Sequence, residues 1–143
     1  MDKRWQTEWL IDPGHDPPEI PAFNFLKNQP TSPRVQLLAI LTSVCSVGPD
    51  QWFDHQSHAP MKGELADLHE ARDKQGDMLY RLFLLWRREE RVVIAIDGRA
   101  KPNKTVLPGA DYKEIRRLAD LAGQEKPPLA TADDFAQTLL KAP

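Results

Sequence analysis

A single cysteine, Cys45, stands among the 143 residues, so no internal disulfide can form. That usage matches a chain kept in a reducing compartment, and a cytoplasmic location is expected. Between Val44 and Val47 on a helical stretch, Cys45 reads as a buried and inert thiol. The longest apolar stretch, Val35 to Val47, is broken by Gln36, Thr42 and Ser43, too early for a membrane span. The start, Met1-Asp2-Lys3-Arg4-Trp5, lacks the apolar core of a secretory signal. Glycine-rich phosphate-binding patterns of the Walker or Rossmann kind are missing, and so is any spacing that reads as a Ser/His/Asp arrangement. Metal ligands are sparse: His55 and His58 lie three apart beside Asp54 in a loop-like run without further ligands. No metal and no other cofactor is expected. An overall cationic excess is missing too, with 19 Lys and Arg against 21 Asp and Glu. That balance excludes an indiscriminate polyanion binder.

What is there is one globular domain's worth of chain with an uneven distribution of charge. Between Arg81 and Lys104, seven cations (Arg81, Arg87, Arg88, Arg91, Arg99, Lys101, Lys104) face three acids (Glu89, Glu90, Asp97). They form either a solvated hairpin tip and charged edge or an anion site. Arg81 bears most on that choice. It interrupts the apolar run Leu79 to Trp86, and an arginine so placed is costly unless it is paired or faces a cleft.

Periodicity predicts the elements. Trp5 to Ile11 alternates as a strand, and Asp12-Pro13-Gly14 turns the chain. A short helix follows from about Ile20 to Asn28, with Pro21 in its first turn. A longer helix starts from a Ser32 cap with Pro33 first and ends at Ser46 before Gly48. Its stripe is Val35, Leu38, Leu41 and Cys45, widened by Leu37, Ile40 and Val44. Gly48 to Pro60 reads as loop, with Trp52 and Phe53 tucked beneath. Three strands occupy roughly Ala66–Arg72, Met78–Arg87 and Arg91–Gly98, joined by turns short enough for antiparallel hairpins. The doubly apolar middle strand is central. A last helix spans about Asp111 to Ala122, and Gly123 ends it. Residues 125–143 open with Lys126-Pro127-Pro128 as a linker. A short amphipathic helix then starts at Thr131, with Asp134 three residues on, and bears Phe135, Leu139 and Leu140.

The fold class is therefore α+β in the order β-α-α-β-β-β-α plus a short extra C-terminal helix: residues 1–124 form the domain and 125–143 the appendage. This order resembles the RelE/HigB superfamily of bacterial toxins, in particular the phage-derived HigB-like branch of type II toxin–antitoxin systems. Leu68-His69-Glu70-Ala71-Arg72 echoes that branch's Leu-x-Glu-Leu-Arg. Tyr80-Arg81-Leu82-Phe83 matches its Tyr-Arg followed by apolar residues. Lys101-Pro102-Asn103-Lys104-Thr105-Val106-Leu107-Pro108 stands where the family has Lys-Lys-x-x-x-x-Pro, and Lys113-Glu114-Ile115 follows. The chain departs from the pattern in its lysine spacing and at Ala71.

The resemblance implies a metal-independent, ribosome-dependent endoribonuclease that cuts mRNA and inhibits translation. It also implies a cognate helix-turn-helix antitoxin and contact with operator DNA only through the complex; no membrane is involved. Arg81, Arg72 and Lys101 are then the candidate catalytic residues, and Arg99, Lys104, His69 and Tyr112 the candidate RNA contacts. Guanidinium groups suit the chemistry because they stay charged and can meet two phosphoryl oxygens at once. Each cation also has a plainer reading. Arg72 and Arg81 can pair with Glu70, Asp67 or Asp97; Arg99, Lys101 and Lys104 can decorate a solvated turn. His69 alternates away from Glu70 and Arg72, and Tyr112 can pack in the core. The competing functional reading is a catalytically inactive protein of the same fold, acting as an antitoxin-bound regulator or an RNA-binding module.

Overall fold

A computed structural model describes residues 5–48, 58–61, 65, 68–103, 105–131 and 138–140. The fold is α+β. Strand β1 (Gln6–Leu10) leads to helices α1 (Pro21–Lys27) and α2 (Thr31–Val47), then to β2 (His58–Pro60), β3 (His69–Gln75), β4 (Met78–Arg87) and β5 (Val92–Pro102). Helix α3 (Gly109–Ala122) and strand β6 (Leu129–Thr131) follow. The mixed sheet has the order β2-β3-β4-β5-β1-β6. Its pairs are antiparallel except β1 with β5, where Gln6 stands opposite Val92 and Trp9 opposite Ala95. Among the described residues no helix is long and apolar enough to cross a membrane.

The sheet separates two apolar layers, and strand alternation decides which side chain enters which. Trp9, Ala71, Tyr80, Leu82, Leu84, Val93 and Ala95 point to the side of α1 and α2, where they meet Leu26, Leu37, Leu41 and Val44. Leu10, Phe83, Ile94 and Ile96 point the other way, against Ile115, Leu118 and Ala122 of α3. β4 sits between β3 and β5 and feeds both layers, as its apolar sequence requires. A register shift between Phe83 and Leu84 leaves Ile96 as the extra residue of β5, so that Ile96 and its neighbour Asp97 both lie on the Phe83 side.

Several sequence expectations need correcting. Helix α2 begins at Thr31 with Pro30 as its N-cap, and no side chain caps it; Ser32 instead accepts a hydrogen bond from Gln75 at 2.8 Å. Proline at the cap holds the extended backbone that precedes a helix without needing a side-chain acceptor. Val35, assigned to the apolar stripe, is 38% exposed, and Leu37 and Ile40 fill the buried arc in its place. Cys45 is only half-buried and lies 3.2 Å from the Thr7 hydroxyl, while burial pushes its thiol pKa up. Thr131, read as a helix start, belongs to β6, which pairs antiparallel with β1. Residues 138–140 are helical, and Leu139 is buried in the layer of α1 and α2. Trp52, Phe53, His55 and 132–137 lie outside the described residues, as does Lys104.

Three local devices hold the sheet's geometry. Gly76 takes a positive φ of 59° in the two-residue turn between β3 and β4, where a side chain would be strained. At the other hairpin end Arg91, with φ of 56°, closes the turn into β5. Gly98 in β5 lies directly under the Phe25 ring of α1, and a Cβ there would overlap the ring. Arg87 at the end of β4 donates to the carbonyls of Ala122 and Gln124, satisfying the C-terminus of α3 with a cation.

Candidate functional site

Register alone assembles a charged face. Arg72 of β3 stands opposite Arg81 of β4, and Arg81 stands opposite Arg99 of β5. Three like charges side by side are unfavourable on their own. The rank on the core side supplies the compensation: it reads Glu70, Phe83, Asp97 across the same strands. The rank on the outer side reads Lys74, Leu79, Lys101. Because each rank is offset by two residues, all three project from the face that α3 partly covers.

Glu70 is 6% exposed and lies between two guanidinium groups. Arg81 Nε donates to its Oε2 at 2.6 Å, and Arg72 Nε approaches Oε1 at 3.6 Å. The Arg81 guanidinium also lies over the Phe83 ring, 5.2 Å from its centroid. Arg99 is held from two elements, donating to Asp97 Oδ2 at 2.6 Å and to Asp111 Oδ1 of α3 at 3.1 Å. Burial pushes the Asp97 carboxyl up despite the Arg99 cation and the Gly98 amide, which act in the opposite sense. Lys101 reaches the carbonyl of Thr105 at 2.7 Å.

The sequence-derived candidates therefore divide. Arg72, Arg81, Arg99 and Lys101 share one face of three adjacent strands. Tyr112, next to Asp111 on the first turns of α3, packs partly against the core layer on that side. His69 projects from the opposite face, where its Nδ1 accepts a hydrogen bond from Trp86 Nε1 at 3.0 Å. Lys104 lies outside the described residues. Two carboxylates that organise the site, Glu70 and Asp111, were not singled out from sequence except as pairing partners or not at all. A signal for the first was present: Glu70-Ala71-Arg72 and Asp97-Gly98-Arg99 both place an acid two residues before an arginine, on the same strand face.

Among the described residues, no group of three or more His, Cys, Asp or Glu side chains is placed to hold a metal ion. The arrangement holds partly exposed guanidinium groups on a sheet face that α3 partly covers, with partly or wholly buried carboxylates behind and beside them. It can bind an oxyanion and stabilise charge that develops on it. Comparisons with protein-family models, with curated proteins and with solved structures found no match.

Proposed function

We propose that this chain is a metal-independent endoribonuclease working through a fixed arginine row. More particularly, we read it as a RelE/HigB-like toxin of a type II toxin–antitoxin system. The observation that carries the reading is the Arg72–Arg81–Arg99 row, formed by three successive strands and backed by the nearly buried Glu70 and Asp97. The element order, with β1 parallel to β5 beside an antiparallel β3–β4–β5 meander, supports the same assignment.

In such a reaction the ribose 2′-oxygen attacks the neighbouring phosphorus and the bond to the 5′-oxygen breaks. A cyclic phosphate and a 5′-hydroxyl result. Negative charge gathers on the phosphoryl oxygens, where Arg81 and Arg72 meet it with groups that remain charged throughout. Glu70, nearly buried and against both guanidinium groups, holds them in place, and the 2′-hydroxyl proton is lost to solvent. Lys101, one rank outward, meets the backbone of the strand, and the leaving 5′-oxygen takes its proton from solvent. The mRNA is met on the ribosome, and a helix-turn-helix antitoxin restrains the protein.

The test is induced expression of the wild type and of Arg81→Ala, each confirmed soluble and folded. Growth arrest with in-frame mRNA cuts, both lost in Arg81→Ala, is the expected result. Normal growth and intact mRNA with soluble wild-type protein would overturn it. One observation favours the rival reading of an inert binding protein: each of the three arginines already has a carboxylate within 3.6 Å.

A further inference from the structure

The arginine row is the eye-catching feature of the charged face, yet it contributes little net charge. Arg72, Arg81 and Arg99 are matched by Glu70, Asp97 and Asp111, three cations against three carboxylates. The net positive charge of this face therefore resides one rank outward, in Lys74 and Lys101. Both lysines stand in register with Leu79, which separates them and is half-buried. The rank is firmly framed: Gly76-Asp77 closes the β3–β4 turn, and the Asn103 amide donates to the Asp77 carbonyl at 2.6 Å.

We propose that Lys74, Leu79 and Lys101 form a nucleotide subsite for the second residue along the strand from the phosphate at the arginine row. This inference rests on the nuclease reading and extends it to the division of labour within the site. Strand geometry sets the spacing: the lysine rank lies about 6.6–6.8 Å from the arginine rank, and its two lysine Cα positions are about 9.5 Å apart. An aliphatic side chain flanked by two ammonium groups matches a ribose and base flanked by their own phosphates. Leu79 meets the apolar sugar and ring surface; Lys74 and Lys101 meet the phosphates on either side. The ligand is a single strand, since in a duplex the base faces are stacked and unavailable to Leu79. The lysines capture and align the strand, and the arginines act on the phosphate that alignment delivers.

The test uses a fluorescent 2′-O-methyl RNA pentanucleotide, whose blocked 2′-oxygens prevent cleavage. Its binding is followed by anisotropy over a range of salt concentrations. Each phosphate neutralised on a single strand contributes about 0.7 to the slope of log affinity against log salt. Lys74→Ala/Lys101→Ala is expected to be shallower than wild type by about 1.4. Lys27→Ala, at the end of α1 on the other side of the sheet, removes a like charge and should leave the slope unchanged. Leu79→Ser should weaken binding at every salt concentration without altering the slope. An unchanged slope in the double-lysine variant overturns the subsite, as does an equal loss in Lys27→Ala. Cleavage in the expression assay separates the two ideas. Arg81-dependent cutting with an unchanged lysine slope refutes the subsite alone, whereas a lowered slope without any cutting supports the subsite and refutes the nuclease. A wild-type protein that does not bind the oligonucleotide overturns both.

Discussion

Removing the Glu70 carboxylate should expose what the arginine row costs the fold. In Glu70→Ala, Arg81 keeps a side chain only 13% exposed, with Arg72 and Arg99 directly across the neighbouring strands. Breaking a buried pair from one side typically costs about 3–5 kcal/mol. Here the lower end applies, because Arg72 is 31% exposed and rehydrates, and Arg81 keeps its contact with the Phe83 ring. A loss of about 3 kcal/mol corresponds to a fall in Tm of about 10 °C for a chain of this size. The companion variant, Glu70→Leu/Arg81→Met, replaces the pair with apolar groups of similar bulk. Its stability should return to within about 1 kcal/mol of wild type, since apolar replacements of buried pairs are often neutral or better. Urea unfolding followed by circular dichroism measures both. If Glu70→Ala loses less than about 1 kcal/mol, the pair does not hold the arginines and the reasoning fails. If only the single variant is unstable, the charges are retained at a cost the fold does not require, which points to function.

Two further outcomes follow from the packing and the ion pairs. Gly98→Ala should destabilise by about 1–3 kcal/mol in urea unfolding, because the new methyl would meet the Phe25 ring. In Gly98→Ala/Phe25→Ala the two changes should compensate rather than add, and additivity within about 0.5 kcal/mol would refute the contact. Asp12 is 2% exposed, and the Arg117 guanidinium at 2.7 Å holds its carboxyl below the usual aspartate range. Its folded pKa lies below its unfolded one, so this contribution is complete above about pH 4–5 and is lost as pH falls further. Arg117→Ala should flatten the acid limb of the stability profile between pH 5 and about pH 2, read from urea midpoints; an unchanged limb would count against the pair.

Much of this architecture was legible because local rules and the fold agree. The doubly apolar run around Arg81 could only be a central strand, and alternation alone placed His69 away from Glu70. The two helices and the three-strand meander followed from spacing, proline and glycine. What stayed hidden is non-local or very short. The parallel pairing of β1 with β5 leaves no mark on Gln6–Leu10, and β2 and β6 have three residues each, below the length at which alternation can be recognised. The site was half legible: the cations stood out, whereas Glu70 and Asp111 gained meaning only when register and the first turn of α3 brought them to Arg81 and Arg99.

The placement of β1 has a consequence for how the chain acquires its shape. Residues 6–10 enter the sheet between residues 92–95 and 129–131, so β1 pairs only with strands that follow it by more than 80 residues. During synthesis at about 5–20 residues per second, β1 must wait several seconds for β5 and longer for β6. The β3–β4–β5 meander, by contrast, contains only near-neighbour pairings that close early. The arginine row is thus drawn from the segment that can fold first, whereas the edge that completes the sheet is sealed last. Folding intermediates should carry the charged face on a meander whose β5 edge is still unpaired.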